Sequence, residues 1–287
     1  MQIDVVGSPD PVKSCMRNAE AISLVFFSGL SVLALFRSLP SNARMKAILF
    51  GLSGIGLTFA MFFSPRVLPR HSADVLRDWL PVLLMAMAYW QSGCFFQRPD
   101  ARMQAVFESW DARVFQGLRV LQSPLFTRSG FGSALELAYL LCYPVVPLGV
   151  AALYLTHMRH RVDDYWLVVL LSAYLCYVLL PFIQLLPPRS LSAAREWHTS
   201  NPVVRRLNLW IVRKVTHQAT TFPSGHVAAS TAIALVLLRD VPVAGFIFLL
   251  IAMGIALGCV TGRYHYAVDV IAALIVAGAV FVAVTIK

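Results

Sequence analysis

Charge is what this sequence is short of. Only 13% of its 287 residues are charged, while 58% are hydrophobic; about a quarter of a soluble domain is charged. So few charges leave too little polar surface to cover a water-soluble globule, which makes the chain an integral membrane protein. Alternating ten-residue segments are missing too, which excludes a membrane β-barrel and leaves an all-α, polytopic helical bundle. Cysteine is sparse: Cys15, Cys94, Cys142, Cys176 and Cys259 are odd in number, scattered and mostly inside apolar runs. That pattern is neither a disulfide framework nor a metal-ligand spacing, so neither metal nor cofactor is expected. Repeats and low-complexity segments are absent. The first 20 residues place acids and two prolines ahead of the first apolar run, unlike a cleavable signal, so the first helix is read as retained. The net charge of +10 fits anionic headgroups, loop topology or an anionic substrate better than nucleic acid.

A spanning helix needs about 20 mostly apolar residues. Eight segments qualify: 19–36, 47–63, 79–96, 135–155, 165–186, 222–238, 241–260 and 266–286. The sixth and seventh are separated only by "RDVP", a tight antiparallel hairpin. Two long connections remain. Residues 98–132 hold Met103, Val106, Phe107, Trp110, Val114, Leu118 and Leu121 at spacings of three and four, with Arg102, Asp111, Arg113 and Arg119 between them. This predicts an amphipathic helix, lying in the membrane interface or packed under the bundle. Residues 189–221 carry Arg195, Arg205, Arg206, Arg213 and Lys214 against one acid, Glu196. With eight spans, the loops after odd-numbered helices share one face, and they hold most of the 24 Lys and Arg residues. The positive-inside tendency taken alone puts that face in the cytosol.

Three polar knots fall on this same face. "LLPPRS" ends the fifth span with Arg189; "FPSGH" opens the sixth with Pro223, Ser224, Gly225 and His226; "GRYHYAVD" opens the eighth with Arg263, His265 and Asp269. Pro at a first helical position is pre-set for the helix. The amides behind it point out of the helix end, where the dipole favours an anion. Ser224 adds a hydroxyl, and Gly225 lets backbone approach a ligand closely. Arg189 and Arg263 could clamp phosphoryl oxygens with paired charge-assisted bonds, or anchor in the headgroups as snorkelling cations. His265 and Asp269, four apart, share a helix face, so the carboxylate can fix the imidazole tautomer and leave the other nitrogen basic. His226 is then available as proton donor. The string Pro-Ser-Gly-His should arise by chance at on the order of one in 10⁵ positions, and a helix-start turn explains its Pro and Ser but not its His.

This combination resembles the type-2 phosphatidic acid phosphatase superfamily, the membrane relatives of the vanadium haloperoxidases. The resemblance is complete over Pro223–His226 and holds at His265 and Asp269. It departs elsewhere: Phe182 and Ser190 stand where the family's first motif has Lys and Pro, so Arg195 is a candidate substitute for the Lys. Cys259 occupies the place of the third motif's Arg, which makes Arg263 a shifted replacement. "PPR" and "HYAVD" are closer to the branch containing inositol phosphorylceramide and sphingomyelin synthases. The resemblance implies a six-helix core over residues 77–287, with residues 1–76 adding a tail and two extra helices. It also implies an extracytoplasmic or lumenal site, against the charge count. The activity it implies is metal-independent hydrolysis of a lipid phosphomonoester or diphosphate. His265 would attack phosphorus, His226 would protonate the leaving alcohol, and Arg189, Ser224, Gly225 and Arg263 would hold the phosphate. A phosphotransferase passing a phospho-headgroup to an acceptor alcohol is the alternative, and a non-catalytic lipid carrier or scaffold the second. The expected partners are the lipid substrate and the bilayer, with no nucleic acid.

Overall fold

The computed structural model describes residues 15–117, 121, 123, 130–191 and 202–285. Leu118, Arg119, Arg195, Glu196 and the end of the last span lie outside the described residues. Among the described residues the chain is all-α, with no strand. In chain order the helices are α1 (Asn18–Phe36), α2 (Ser41–Phe63), α3 (Arg70–Trp79), α4 (Pro81–Gly93), α5 (Ala101–Gly117), α6 (Gly130–Leu140), α7 (Val145–Leu155), α8 (Val162–Tyr177), α9 (Pro202–Val215), α10 (Gly225–Asp240), α11 (Pro242–Thr261) and α12 (Ala267–Thr285).

Each of the eight apolar segments is helical, but not all the helices reach crossing length. Four are long and apolar enough, namely α1, α2 with its 3-10 extension, α11 and α12, and a fifth follows if α6 and α7 count as one span bent by 77°. Proline accounts for the shortfall. Pro144, which has no amide to donate, sits at the α6–α7 break and precedes α7 as its N-cap. The fifth segment is helical only to Tyr177, ahead of Pro181, Pro187 and Pro188. The sixth begins at Gly225, since Pro223 and the capping Ser224 precede it. Pro223 thus lies one residue before the cap, not at the first helical position expected from sequence.

α10 sits at the centre, packed against α8, α11, α12 and α7. Apolar burial drives helices together weakly in lipid, so close backbone approach through small residues does more of the work. Ala228, Ala229, Ala232 and Ala234 of α10 are all buried. Across the α10–α11 hairpin, a Cβ on Gly245 would lie 2.2 Å from the Leu238 amide nitrogen. Val25, Phe36, Val243, Phe246, Leu250 and Ile275 are exposed, as a lipid-facing surface requires.

The two long connections form α5 and α9. Met103, Val106 and Trp110 of α5 are exposed, as are Val203, Leu207 and Trp210 of α9. Each therefore has an outward apolar face of the interfacial kind. The inward faces mix apolar and polar residues: Phe107, Gln104 and Asp111 of α5 and Val212 and Asn208 of α9 are buried, and Gln104 and Asp111 hold the loops of the first and third knots.

Candidate active site

The three knots meet. The Arg189 amide donates to the Arg263 carbonyl (2.9 Å) and the Ser224 amide to the Asp269 carbonyl (3.1 Å). An isolated antiparallel bridge between Leu185 and Thr220 ties the first knot to the segment leading into the second. α5 clamps the assembly from below. Asp111 accepts from the Arg263 guanidinium (2.5 Å) and from the Ala267 amide (2.8 Å), so it also caps the start of α12. Gln104 accepts the Leu186 amide (3.0 Å) and donates to the Tyr266 hydroxyl.

Around His265 the hydrogen bonds define one tautomer. Its Nδ1 lies 2.8 Å from Thr220 Oγ1 and 3.2 Å from Asp269 Oδ2. Thr220 spends its single proton on Asp269 Oδ2 (3.3 Å), so it must accept from the ring. Nδ1 therefore carries the hydrogen, and Nε2 keeps its lone pair. Asp269 also accepts the Tyr266 amide (3.1 Å). Burial first, then the nearby Arg189 charge, holds the His265 pKa down to about 3. Burial lowers His226 in the same way, to about 3, so neutrality suits a nucleophile without telling the two rings apart; the carboxylate and hydroxyl on His265 Nδ1 do that.

His265 lines a small cavity with Arg189, His226, Thr221, Tyr89, Tyr139 and Tyr264. The two imidazoles face each other across it, centroids 6.1 Å apart and planes at 83°. Arg189 reaches in as a cation with no carboxylate partner among the described residues. Its guanidinium donates to the Tyr264 carbonyl (3.3 Å) and lies over the Tyr264 ring at 5.6 Å, and burial lowers its pKa. At the start of α10, Ser224 Oγ accepts the Val227 amide (3.5 Å) and Thr221 Oγ1 accepts the Gly225 amide (3.2 Å). Among the first-turn amides, that of His226 meets no acceptor among the described residues, which leaves it for a ligand.

Three sequence expectations change meaning here. Ser224 is a helix cap, and its hydroxyl oxygen serves Val227 rather than lining the cavity. Gly225 is small because of α8: a Cβ there would sit 2.4 Å from Tyr177 Cε1. Arg263 does not line the cavity. It takes left-handed backbone (φ 58°), which turns its carbonyl onto Arg189 and its side chain onto Asp111. Through these two contacts it holds the Arg189 loop against α5.

Sequence reasoning missed Thr220, Thr221, Tyr264, Glu136 and the inward role of Asp111. Glu136, buried in α6, accepts from Arg205 (2.9 Å), Asn208 and the Tyr264 hydroxyl (2.7 Å). It thereby fastens α9 to the site, and Tyr264 stacks flat on Tyr139 (3.8 Å, 2°). Only Thr220 and Thr221 carried a legible signal, directly preceding "FPSGH".

No curated protein and no solved structure matches the chain. A family model described as the PAP2 superfamily matches residues 108–283, a stretch running from the α5 clamp through all three knots. With more than half of its length matched, and with the two histidines, the aspartate and Arg189 inside the match, the chain belongs to the PAP2 superfamily.

Proposed function

We propose that the protein is a membrane-embedded phosphatase that hydrolyses a lipid phosphomonoester or diphosphate through a phosphohistidine. The observation that carries the reading is the pairing of an oriented imidazole, His265, with a half-buried Arg189, which has no carboxylate partner among the described residues, in one cavity. Arg189 and the His226 amide bind phosphoryl oxygens. His265 Nε2 forms a bond to phosphorus as the bond to the lipid oxygen breaks, and that oxygen takes a proton from His226, whose pKa, lowered by burial, the bound phosphate anion raises so that the ring is charged in the complex. Asp269 and Thr220 stabilise the imidazolium-like ring that results. Water then attacks the phosphohistidine, gives its proton to the now neutral His226, releases phosphate and restores both histidines. The same face carries the exposed apolar sides of α5 and α9, which suits a substrate presented from a bilayer.

The experiment is phosphate release from a panel of lipid phosphates by purified protein, with EDTA and without acceptor lipid, together with trapping of labelled phosphate. Release under these conditions with acid-labile label on His265 is expected. Release that requires added Mg²⁺, or that requires an acceptor alcohol, would replace this reading with a metal-dependent or a transfer mechanism.

A further inference from the structure

α1 lies outside the stretch that the family model matches. Where it packs on α8, the two helices leave a groove of about 650 Å³. Val25, Gly29 and Leu33 of α1 form one wall and Leu171 and Leu175 of α8 the other, with Phe182, just past the end of α8, closing the end nearest the site. None of the groove's residues lines the cavity of His226 and His265. Val25 and Leu175 are exposed, so the groove opens toward lipid, and a Cβ on Gly29 would meet nothing within 4 Å. Arg37 stands at the Phe182 end. Its guanidinium donates to the Pro181 carbonyl (2.8 Å) and lies over the Phe182 ring at 5.4 Å, and the Arg44 guanidinium donates to the Arg37 carbonyl (3.3 Å). Residues 36–46 contain no acid, and among the described residues neither arginine has a carboxylate partner.

We infer that the α1–α8 groove holds one acyl chain of an anionic phospholipid, its phosphate on Arg37 and Arg44, as a resident lipid and not as a substrate. Apolar walls alone hold nothing in a bilayer, because lipid tails are as apolar as the walls. Two features of the groove add what apolarity lacks. Its concave surface touches a chain on several sides, where a flat helix face touches it on one, so more dispersion contacts are made. The cations at its mouth favour an anionic headgroup by about fivefold for each arginine. Pro181 and Phe182 already hold the Arg37 guanidinium in place, so little side-chain freedom is lost when the phosphate binds. The charge also selects a lipid over a helix from a second copy. A two-fold mate seated here would bring its own residues 36–46 to the same place, and arginine would face arginine.

The test is native mass spectrometry of the full chain in detergent, titrated with phosphatidylglycerol and with phosphatidylcholine of equal chain length. Neither lipid is a phosphomonoester or a diphosphate, so binding is read apart from turnover. The wild type should retain one phosphatidylglycerol per chain in preference to phosphatidylcholine by about tenfold or more, and Arg37→Gln should cut that preference about fivefold. Gly29→Leu, which adds bulk only to open space, should weaken the binding of both lipids. Arg189→Gln should change neither. Equal retention of the two lipids by the wild type, or a preference unchanged in Arg37→Gln, overturns the inference. Loss of the phosphatidylglycerol in Arg189→Gln overturns it too, by placing the lipid in the catalytic cavity. A lipid-free wild type that runs as a dimer and becomes a monomer in Gly29→Leu would give the groove to a second copy instead.

Discussion

Both ends of α8 and α10 hold buried charge, and the two ends are built differently. At the end opposite the site, Arg17, Arg77, Arg159 and Arg239 each meet a carboxylate. Arg17 bonds Asp74 (3.0 Å) and Asp78 (2.5 Å), Arg159 bonds Asp78 (2.7 Å), and Arg77 grips Glu20 (2.6 Å). Arg239 pairs with Asp240 (2.8 Å). At the site end, Arg205 and Arg263 are likewise paired, with Glu136 and Asp111, but Arg189 is held by carbonyls and an aromatic face. A buried cation without a counter-ion is costly. Arg205 and Arg263 beside the cavity each have a carboxylate, and Arg189, lining it without one among the described residues, is the cation that the proposed phosphate would neutralise.

The largest expected effects separate the two histidines. His265→Ala should lose at least about 10⁴-fold in activity and never take up label, since the nucleophile is gone. His226→Ala should lose about 10²–10⁴-fold on lipid substrates. Because a nitrophenyl leaving group needs no proton, nitrophenyl phosphate should recover most of the His226→Ala rate and none of the His265→Ala rate. Equal recovery of both would break the assignment, and label on His226 would reverse it.

A smaller effect sharpens the contrast between the two ends. Arg189→Lys should fall about 10²-fold, because a point charge does not reproduce a guanidinium fork. Arg77→Leu should leave turnover intact and instead destabilise the fold by about 3–5 kcal/mol, through the stranded Glu20 carboxylate. Thermal unfolding and initial rates on both variants measure this, and an Arg77→Leu enzyme that is stable but inactive would erase the distinction. Smaller again, Asp111→Asn should lower kcat about tenfold by weakening the charge-assisted bond that sets Arg263, and through its carbonyl Arg189. A change confined to KM would mean that Asp111 acts on substrate binding instead.

The sequence was legible where chemistry is local and opaque where it is tertiary. Low charge and apolar runs pointed to the helical membrane fold, and helix-end chemistry pointed to Arg189, His226 and His265, which line one cavity, and to Asp269, which bonds His265 from behind. The span count was harder, because Pro144, Pro181 and Pro223 interrupt segments whose hydropathy continues unbroken. Gly225 invited a ligand-based explanation, whereas its constraint is the Tyr177 ring 48 positions earlier in the chain. Arg263 offered a charge beside a catalytic histidine, and nothing in its own segment foretold that Asp111, 152 residues away, would turn it outward. Asp111 itself was hidden in an amphipathic pattern, where an inward acid looks the same as a solvated one.

Among the described residues that line the cavity, Arg189 is the cation proposed to receive the anion. Calorimetric titration of orthovanadate into the purified protein, with EDTA present, tests it most directly. One site per chain is expected, kept in Arg159→Gln and lost, by about 10²-fold or more in affinity, in Arg189→Gln. Equal binding by wild type and Arg189→Gln, or loss in Arg159→Gln instead, would contradict it.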